Sequence, residues 1–220
     1  MLVGNTVRPL SICFAMRGAL IAIEGLDRTG KTTQTYFLTR KLEKHNIRHE
    51  LIKFPERTTT IGKIINTYLS DKSFQLNDQA IHLLFSANRW ELIDTIKNYL
   101  EQGITVILDR YVYSGCAYST AKGLSFDWCM NTDKGLPKPD ATIFLKFEDG
   151  SNTNRSGFGD ERYELVEFQE KVKIAFEKFD EYTEWKPIFV DGLSKDEVHE
   201  KIWSNIEELL SGVDSELLKF

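Results

Sequence analysis

Short apolar runs punctuate this 220-residue chain at residues 19–23, 50–54, 104–108, 141–147 and 188–190. Each is bounded by Gly, Pro, Asn or charged residues, and their length fits buried strands. Between them, apolar residues recur at three and four, as an amphipathic helix requires. That spacing predicts helices over residues 33–45, 61–69, 77–102, 113–122, 127–130 and 161–182. Ser194 with Glu197 three positions on forms a capping box for a last helix running to about residue 210. Strands alternating with helices imply an α/β fold, a five-stranded parallel sheet with helices on both faces. In the 77–102 segment, Ile81, Leu84, Phe85, Leu92, Ile96 and Tyr99 make the stripe, and Asn88 and Arg89 fall inside it. Phe85 and Arg89 are four apart and share a face. An arginine on a core-facing stripe either pairs with a carboxylate or faces a polar ligand cavity.

The first apolar run feeds directly into Gly25-x-x-x-x-Gly30-Lys31-Thr32, with helix-compatible sequence behind it. Strand, glycine loop and helix in this order make a phosphate-binding loop. Gly25 and Gly30 let backbone N–H groups turn inward around a polyphosphate, and the helix N-terminus adds its free N–H groups. Lys31 can neutralise the outer phosphates, and the Thr32 hydroxyl can hold Mg²⁺. Two further positions sit just past strand ends, the edge at which open α/β sheets bind ligands. Arg57 follows the second run, and Asp109-Arg110-Tyr111 follows the third. A carboxylate at the position of Asp109 can organise a Mg²⁺ shell, or it can be half of a structural Asp–Arg pair. Residues 148–160 are rich in Gly, Asn, Ser and Asp, a composition that suits a flap or a plain surface loop.

Composition narrows the classes. Hydrophobic residues at 41 % and charged residues at 28 % describe an ordinary globular domain. A net charge of −5 argues against general nucleic-acid binding but leaves room for a local basic cluster. Cys13, Cys116 and Cys129 are scattered without zinc spacing, which favours reduced thiols in an intracellular compartment. No apolar stretch is long enough to cross a bilayer. Residues 1–15 carry one basic residue, Arg8, and no acid, which favours a plain extension over the arginine-rich alternative, a mitochondrial presequence. The expectation is a disordered extension, or a start at Met16, ahead of one domain over residues 16–220, in a protein of the cytoplasm or nucleus.

Several stretches together resemble the thymidylate kinases, a family of nucleoside monophosphate kinases. They are Glu24-Gly25-Leu26-Asp27-Arg28-Thr29-Gly30-Lys31-Thr32-Thr33-Gln34, Phe54-Pro55-Glu56-Arg57 and Phe85-Ser86-Ala87-Asn88-Arg89-Trp90-Glu91. Further on come Asp109-Arg110-Tyr111-x-x-Ser114-Gly115, Gly135-Leu136-Pro137-Lys138-Pro139-Asp140 and Phe158-Gly159-Asp160-Glu161-Arg162-Tyr163-Glu164. The resemblance runs from about residue 17 to the C-terminus and implies a P-loop NTPase fold with a short lid at about 148–160. It implies transfer of the γ-phosphate of Mg·ATP to dTMP, giving ADP and dTDP for dTTP synthesis.

Residue by residue, the resemblance gives Gly25, Asp27, Arg28, Thr29, Gly30, Lys31, Thr32 and Thr33 to ATP, with Arg155 of the flap as a secondary contact. Thr32 and Asp109 would hold Mg²⁺. Arg57 and Arg110 would grip the acceptor phosphate, with Asp27, Ser114 and Gly115 on the same side. Phe85 would stack on thymine, Arg89 would bond the base, and Tyr111 would disfavour a ribose 2′-hydroxyl. Tyr118 would lie beside the base, and Tyr163 and Gln169 would close over the sugar. Arg28 in the loop, with Lys31 and Asp109, would form the catalytic set, Arg28 as a built-in arginine finger, the pattern of eukaryotic-type members. A homodimer is implied as well. Rival readings are a kinase for other monophosphates, a deoxynucleoside kinase, a GTPase switch and an inactive scaffold. Arg57 and Arg110 imply an acceptor phosphate, no Asn-Lys-x-Asp guanine motif is present, and Arg28, Lys31 and Asp109 are intact.

Overall fold

The computed structural model describes residues 16–148, 162–163, 165–213 and 216–220. Five strands form one parallel sheet: β1 (Leu20–Gly25), β2 (His49–Lys53), β3 (Thr105–Asp109), β4 (Ala141–Lys146) and β5 (Trp185–Phe189), in the order β2-β3-β1-β4-β5. β1 lies at the centre, buried along its whole length. It is flanked by β3 and β4, which are themselves almost wholly buried, as continuous apolar runs in a doubly covered sheet should be. β5 begins three residues earlier than the apolar run suggests, taking in Trp185 and Pro187. It is an edge strand, where a proline's missing N–H costs no ladder bond.

Eight helices cover the faces among the described residues: α1 (Lys31–Lys44), α2 (Thr60–Ser70), α3 (Asp78–Trp90), α4 (Ile93–Glu101), α5 (Val112–Ala121), α6 (Phe126–Asn131), α7 (Val166–Phe176) and α8 (Lys195–Ile206). The capping box of Ser194 and Glu197 opens α8, whose end passes into a 3-10 turn, Glu207–Ser211. α7 and a 3-10 turn, Glu177–Phe179, occupy the segment read as one helix over 161–182.

The stretch 77–102 is two helices, not one. Leu92, at φ −103° and ψ 1°, breaks the pattern between α3 and α4. The cause lies in the side chains of the last turn of α3. Asn88 Nδ2 donates to Glu91 Oε2 at 3.0 Å and to the Glu56 carbonyl at 3.1 Å, and Asn88 Oδ1 accepts from the Glu56 N–H at 2.8 Å. The end of α3 is thereby tied to the loop after β2. The stripe also serves two cores: Ile81 packs with Ile65 and Tyr68 of α2, whereas Ile93, Ile96 and Leu100 pack on Val106 and Leu108 of the sheet. One straight helix could not reach both.

The turn over residues 135–140 ties the chain ends to the sheet. Asp140 takes both guanidinium nitrogens of Arg17, at 2.6 and 2.8 Å, and the Leu20 N–H at 2.8 Å. Residues 216–220 run antiparallel beside the turn, with Lys138 N–H to the Leu218 carbonyl at 2.8 Å and a reciprocal pair between Phe220 and residues 135–136 at 3.0 Å. The Phe220 ring packs 5.4 Å from that of Tyr113 and 6.1 Å from that of Tyr111. The expected extension 1–15 and all but Glu148 of the expected flap, Arg155 included, lie outside the described residues.

Candidate active site

A cleft of about 910 Å³ opens where the loops following β1, β2 and β3 meet α3 and α5. Its phosphate end is built by β1 running into a tight turn. Gly25, at φ +153°, has no room for a side chain, since a Cβ there would stand 2.5 Å from the Leu145 carbonyl oxygen of neighbouring β4. Gly30, at φ +98°, caps α1 with no side-chain bond, leaving first-turn N–H groups facing the cleft mouth. Arg28 and Arg110 are both held at positive φ, 66° and 68°, a conformation that carries strain in non-glycine residues and clusters at functional sites.

Asp27, Arg28, Gly30, Lys31, Thr32 and Thr33 line the cleft. Thr29 and Gly25 lie behind the surface, with the Thr29 hydroxyl donating to the Leu26 carbonyl at 3.0 Å. Lys31 is buried and its ammonium donates to the same carbonyl at 2.5 Å. Burial and the nearby Arg110 guanidinium push its pKa down to about 7, against the pull of Asp27 and Asp109.

A charged lattice sits behind the loop. Glu24, the fully buried last-but-one residue of β1, accepts the N–H groups of Tyr111 at 2.8 Å and Ser114 at 3.1 Å, and the Ser114 hydroxyl. Burial raises its pKa despite those bonds. Arg110 pairs with Asp27, and donates to the Gly25 carbonyl and the Ser114 hydroxyl, both at 3.1 Å. The sequence left open a structural pair between Asp109 and Arg110; Arg110 pairs with Asp27 instead. Burial pushes the Asp27 carboxyl up, but Arg110 and Lys31 outweigh burial and hold it below its ordinary range. Asp109 lines the cleft at the tip of β3, with Lys53 Nζ 3.9 Å away. Gln169 does not line the cleft. Its amide donates to Asp27 Oδ2 and to the Tyr163 carbonyl, both at 2.9 Å, so it ties together two residues of the cleft wall.

The other end of the cleft is apolar and aromatic, lined by Phe85, Tyr111, Tyr118 and Tyr163, with Arg89 beneath. Arg57 stands at the mouth, its guanidinium 2.9 Å from Asn66 Oδ1. Arg89 satisfies both readings of its place on the stripe. It is almost fully buried and bonds Asp133 through Nε at 3.1 Å and Nη2 at 2.5 Å, yet it also lines the cleft. Gly115 makes this possible, because a Cβ there would meet Arg89 Nη1 at 2.6 Å. Asp133 is held in turn by the Ser86 hydroxyl at 2.7 Å. Behind these, buried His82 spans Ser119 Oγ at 2.7 Å through Nδ1 and, through Nε2, Thr132 Oγ1 at 3.0 Å and the Cys129 carbonyl at 3.2 Å. Asp133, Ser86, His82, Ser119 and Lys53 carry no local sequence pattern that marks them. Glu24 did have one, a carboxylate ending an otherwise apolar strand.

The sequence pattern of the family described as thymidylate kinase matches residues 23–202. The chain is 48 % identical over 198 residues to a thymidylate kinase of Schizosaccharomyces pombe, covering 90 % of this chain and 94 % of that one. To the Homo sapiens thymidylate kinase it is 46 % identical over 191 residues, covering 86 % and 89 %. A solved thymidylate kinase structure from Candida albicans superposes with a TM-score of 0.86 at 44 % identity, covering 94 % of this chain and 99 % of that one. A shared pattern across most of the chain, near-half identity to relatives over most of their length and a matching architecture lead to one placement: the chain belongs to the thymidylate kinase family.

Proposed function

We infer that the chain transfers the γ-phosphoryl group of ATP to dTMP, yielding ADP and dTDP on the route to dTTP. The observation that carries this is one continuous cleft with a phosphate loop at one end and an aromatic, arginine-floored pocket at the other. The loop N–H groups and Lys31 hold the donor phosphates. Arg57 and Arg110 hold the acceptor phosphate, and Phe85 and Arg89 hold its base. An acceptor phosphate oxygen attacks the γ-phosphorus while the bridging bond to the β-phosphate breaks and ADP leaves. The attacking oxygen is already anionic, so no strong base is required. Positioning and charge neutralisation supply the rate, and Arg28 is the cation placed for the transferring group.

Thr32 and Asp109 line the same cleft and offer a hydroxyl and a carboxylate, the hard oxygen donors that Mg²⁺ takes. We assign them as its holders; the ion, when bound, offsets charge on the donor phosphates. A homodimer fits the exposed Ile64 of α2 and Leu83 and Trp90 of α3, none of which lines the cleft. Sedimentation of the purified chain tests it, and a monomer at micromolar concentration would refute it. A cytoplasmic location fits the free, buried Cys116 and Cys129.

The deciding experiment is ADP release with Mg·ATP and a panel of dTMP, dUMP, dGMP, AMP, CMP and thymidine. Turnover with dTMP and none with thymidine is expected. Equal use of several monophosphates would replace the thymidylate reading with a broad-range one. The Candida albicans enzyme is described as having broad substrate specificity, which gives the second outcome its interest.

A further inference from the structure

Glu24 is fully buried near the end of β1 and forms no part of the cleft wall. Its oxygens serve α5 instead. Tyr111, the N-cap of α5, gives the helix no side-chain bond, so the first-turn N–H groups need an acceptor from elsewhere. One carboxylate oxygen of Glu24, Oε1, accepts the Tyr111 N–H at 2.8 Å and the Ser114 N–H at 3.1 Å. These are the two N–H groups that a capping box satisfies, here served by an acid from a neighbouring strand. The other oxygen, Oε2, accepts the Ser114 hydroxyl.

Both attachments converge on Arg110. Its backbone, at φ +68°, joins β3 to the capped turn, and a non-glycine residue keeps that conformation only where its surroundings impose it. Its N–H donates to the Ile23 carbonyl at 3.0 Å, which sets it beside Glu24 across the β1–β3 pair. Its guanidinium is held through Nη1 by Ser114 Oγ and the Gly25 carbonyl, both at 3.1 Å, and through Nη2 by Asp27. Ser114 donates its own hydrogen to Glu24, which leaves its oxygen to accept from Arg110. The Nε hydrogen and one on Nη2 have no hydrogen-bond partner among the described residues, and Arg110 lines the cleft.

We propose that Glu24 is the positioning residue for the acceptor phosphate: it caps α5 with one oxygen, orients Ser114 with the other, and so presents the two remaining N–H groups of Arg110 to that phosphate. The proposal deepens the thymidylate reading and rests on Arg110 holding the acceptor phosphate. A carboxylate that only kept the fold together would serve base, sugar and phosphate alike. One that aims Arg110 serves the phosphate alone. Thymidine, which is dTMP without its phosphate, separates the two.

The test compares the KM for dTMP, the inhibition constant of thymidine and the KM for ATP in the wild-type chain, Glu24→Gln, Ser114→Ala and the double variant. Glutamine fits the same space and keeps an oxygen for the two N–H groups of α5, but its amide nitrogen cannot accept the Ser114 hydroxyl. In Glu24→Gln the KM for dTMP should rise about tenfold, as a charge-assisted bond of Arg110 is lost. Thymidine inhibition and the KM for ATP should stay within about twofold of wild type, because neither ligand meets Arg110 through an acceptor phosphate. Ser114→Ala should raise the KM for dTMP by a similar factor, and the double variant should be no worse than either alone, since each breaks the same chain of bonds. An unchanged KM for dTMP in Glu24→Gln, a rise shared equally by thymidine, or single effects that multiply in the double variant each overturn the proposal. Where Glu24→Gln fails to fold, Ser114→Ala decides by the same split between dTMP and thymidine. A wild-type chain that does not turn over dTMP refutes the thymidylate reading and this proposal with it; normal wild-type turnover without the split overturns this proposal alone.

Discussion

The two ends of the cleft solve recognition in opposite ways. At the phosphate end the backbone is the instrument: a strand stops, two glycines turn it, and a helix starts with its N–H groups exposed. At the base end the backbone is ordinary helix, and recognition falls to side chains drawn from α3, α5 and the 132–133 turn. The loop of the first end is contiguous in sequence and carries Asp27 and Lys31, with Arg110 brought in from another strand end. The second is dispersed, with a buried ion pair and a chain of neutral hydrogen bonds. A contiguous site tolerates drift elsewhere in the protein. A dispersed one is only as well placed as the packing between its helices.

Substitutions can break this contrast, and the largest effect should come from the contiguous end. Lys31→Ala should lower kcat by on the order of 10³ or more, because no other group in the loop replaces the buried ammonium. Normal kcat would remove the loop from the mechanism. Arg28→Ala should cost about 10²–10³ in kcat with little change in the KM for dTMP, since its contact strengthens in the transition state. A pure KM effect would make Arg28 a binding residue only.

The dispersed end should fail differently, through stability. Asp133→Ala leaves the buried Arg89 guanidinium unpaired, at a cost of about 3–5 kcal/mol in urea denaturation, together with a higher KM for dTMP. A loss below about 1 kcal/mol would show that Arg89 finds another partner or water.

Lys31 also gives a proton signature. Its folded pKa of about 7 lies below its ordinary 10.5, so between those values the unfolded chain holds more protons. Its contribution to stability therefore rises as pH climbs from about 7 toward 10.5. At pH 8 nucleotide binding should take up to about one proton as phosphate charge restores the ammonium. Calorimetry in buffers of different ionisation enthalpy reads this directly, and the uptake should vanish in Lys31→Ala. The smallest effect belongs to Tyr111→Phe. The Tyr111 hydroxyl is buried with no hydrogen-bond partner in the protein, so its removal should raise thermal stability by up to about 1 kcal/mol. A loss of stability of that size would mean an ordered water satisfies it.

The same contrast explains what the sequence could reveal. Parallel strands buried on both faces announce themselves as apolar runs, and the loop motif needs its glycines at fixed offsets, so both were legible. Arg89 was visible as an anomaly on an apolar stripe, but its partner Asp133 is 44 residues away and sits in no motif. The break at Leu92 was hidden because the apolar stripe continues through it; what stops the helix is Asn88 and Glu91 reaching to the loop at Glu56 and Thr59. The bond of Gln169 to Asp27 was not legible either, because partners 142 residues apart share no spacing. Pro187 masked the start of β5 because sequence does not say which strand will be an edge.

The placement of Phe220 against Tyr111 and Tyr113 divides the cleft by what backs it. All five strands and the phosphate loop lie before residue 190, so the nucleotide grip is built without any residue of the 216–220 segment. The wall behind Tyr111 takes Phe220 as part of its backing. Loss of that segment should therefore loosen the acceptor wall first and leave the sheet and its loop in place.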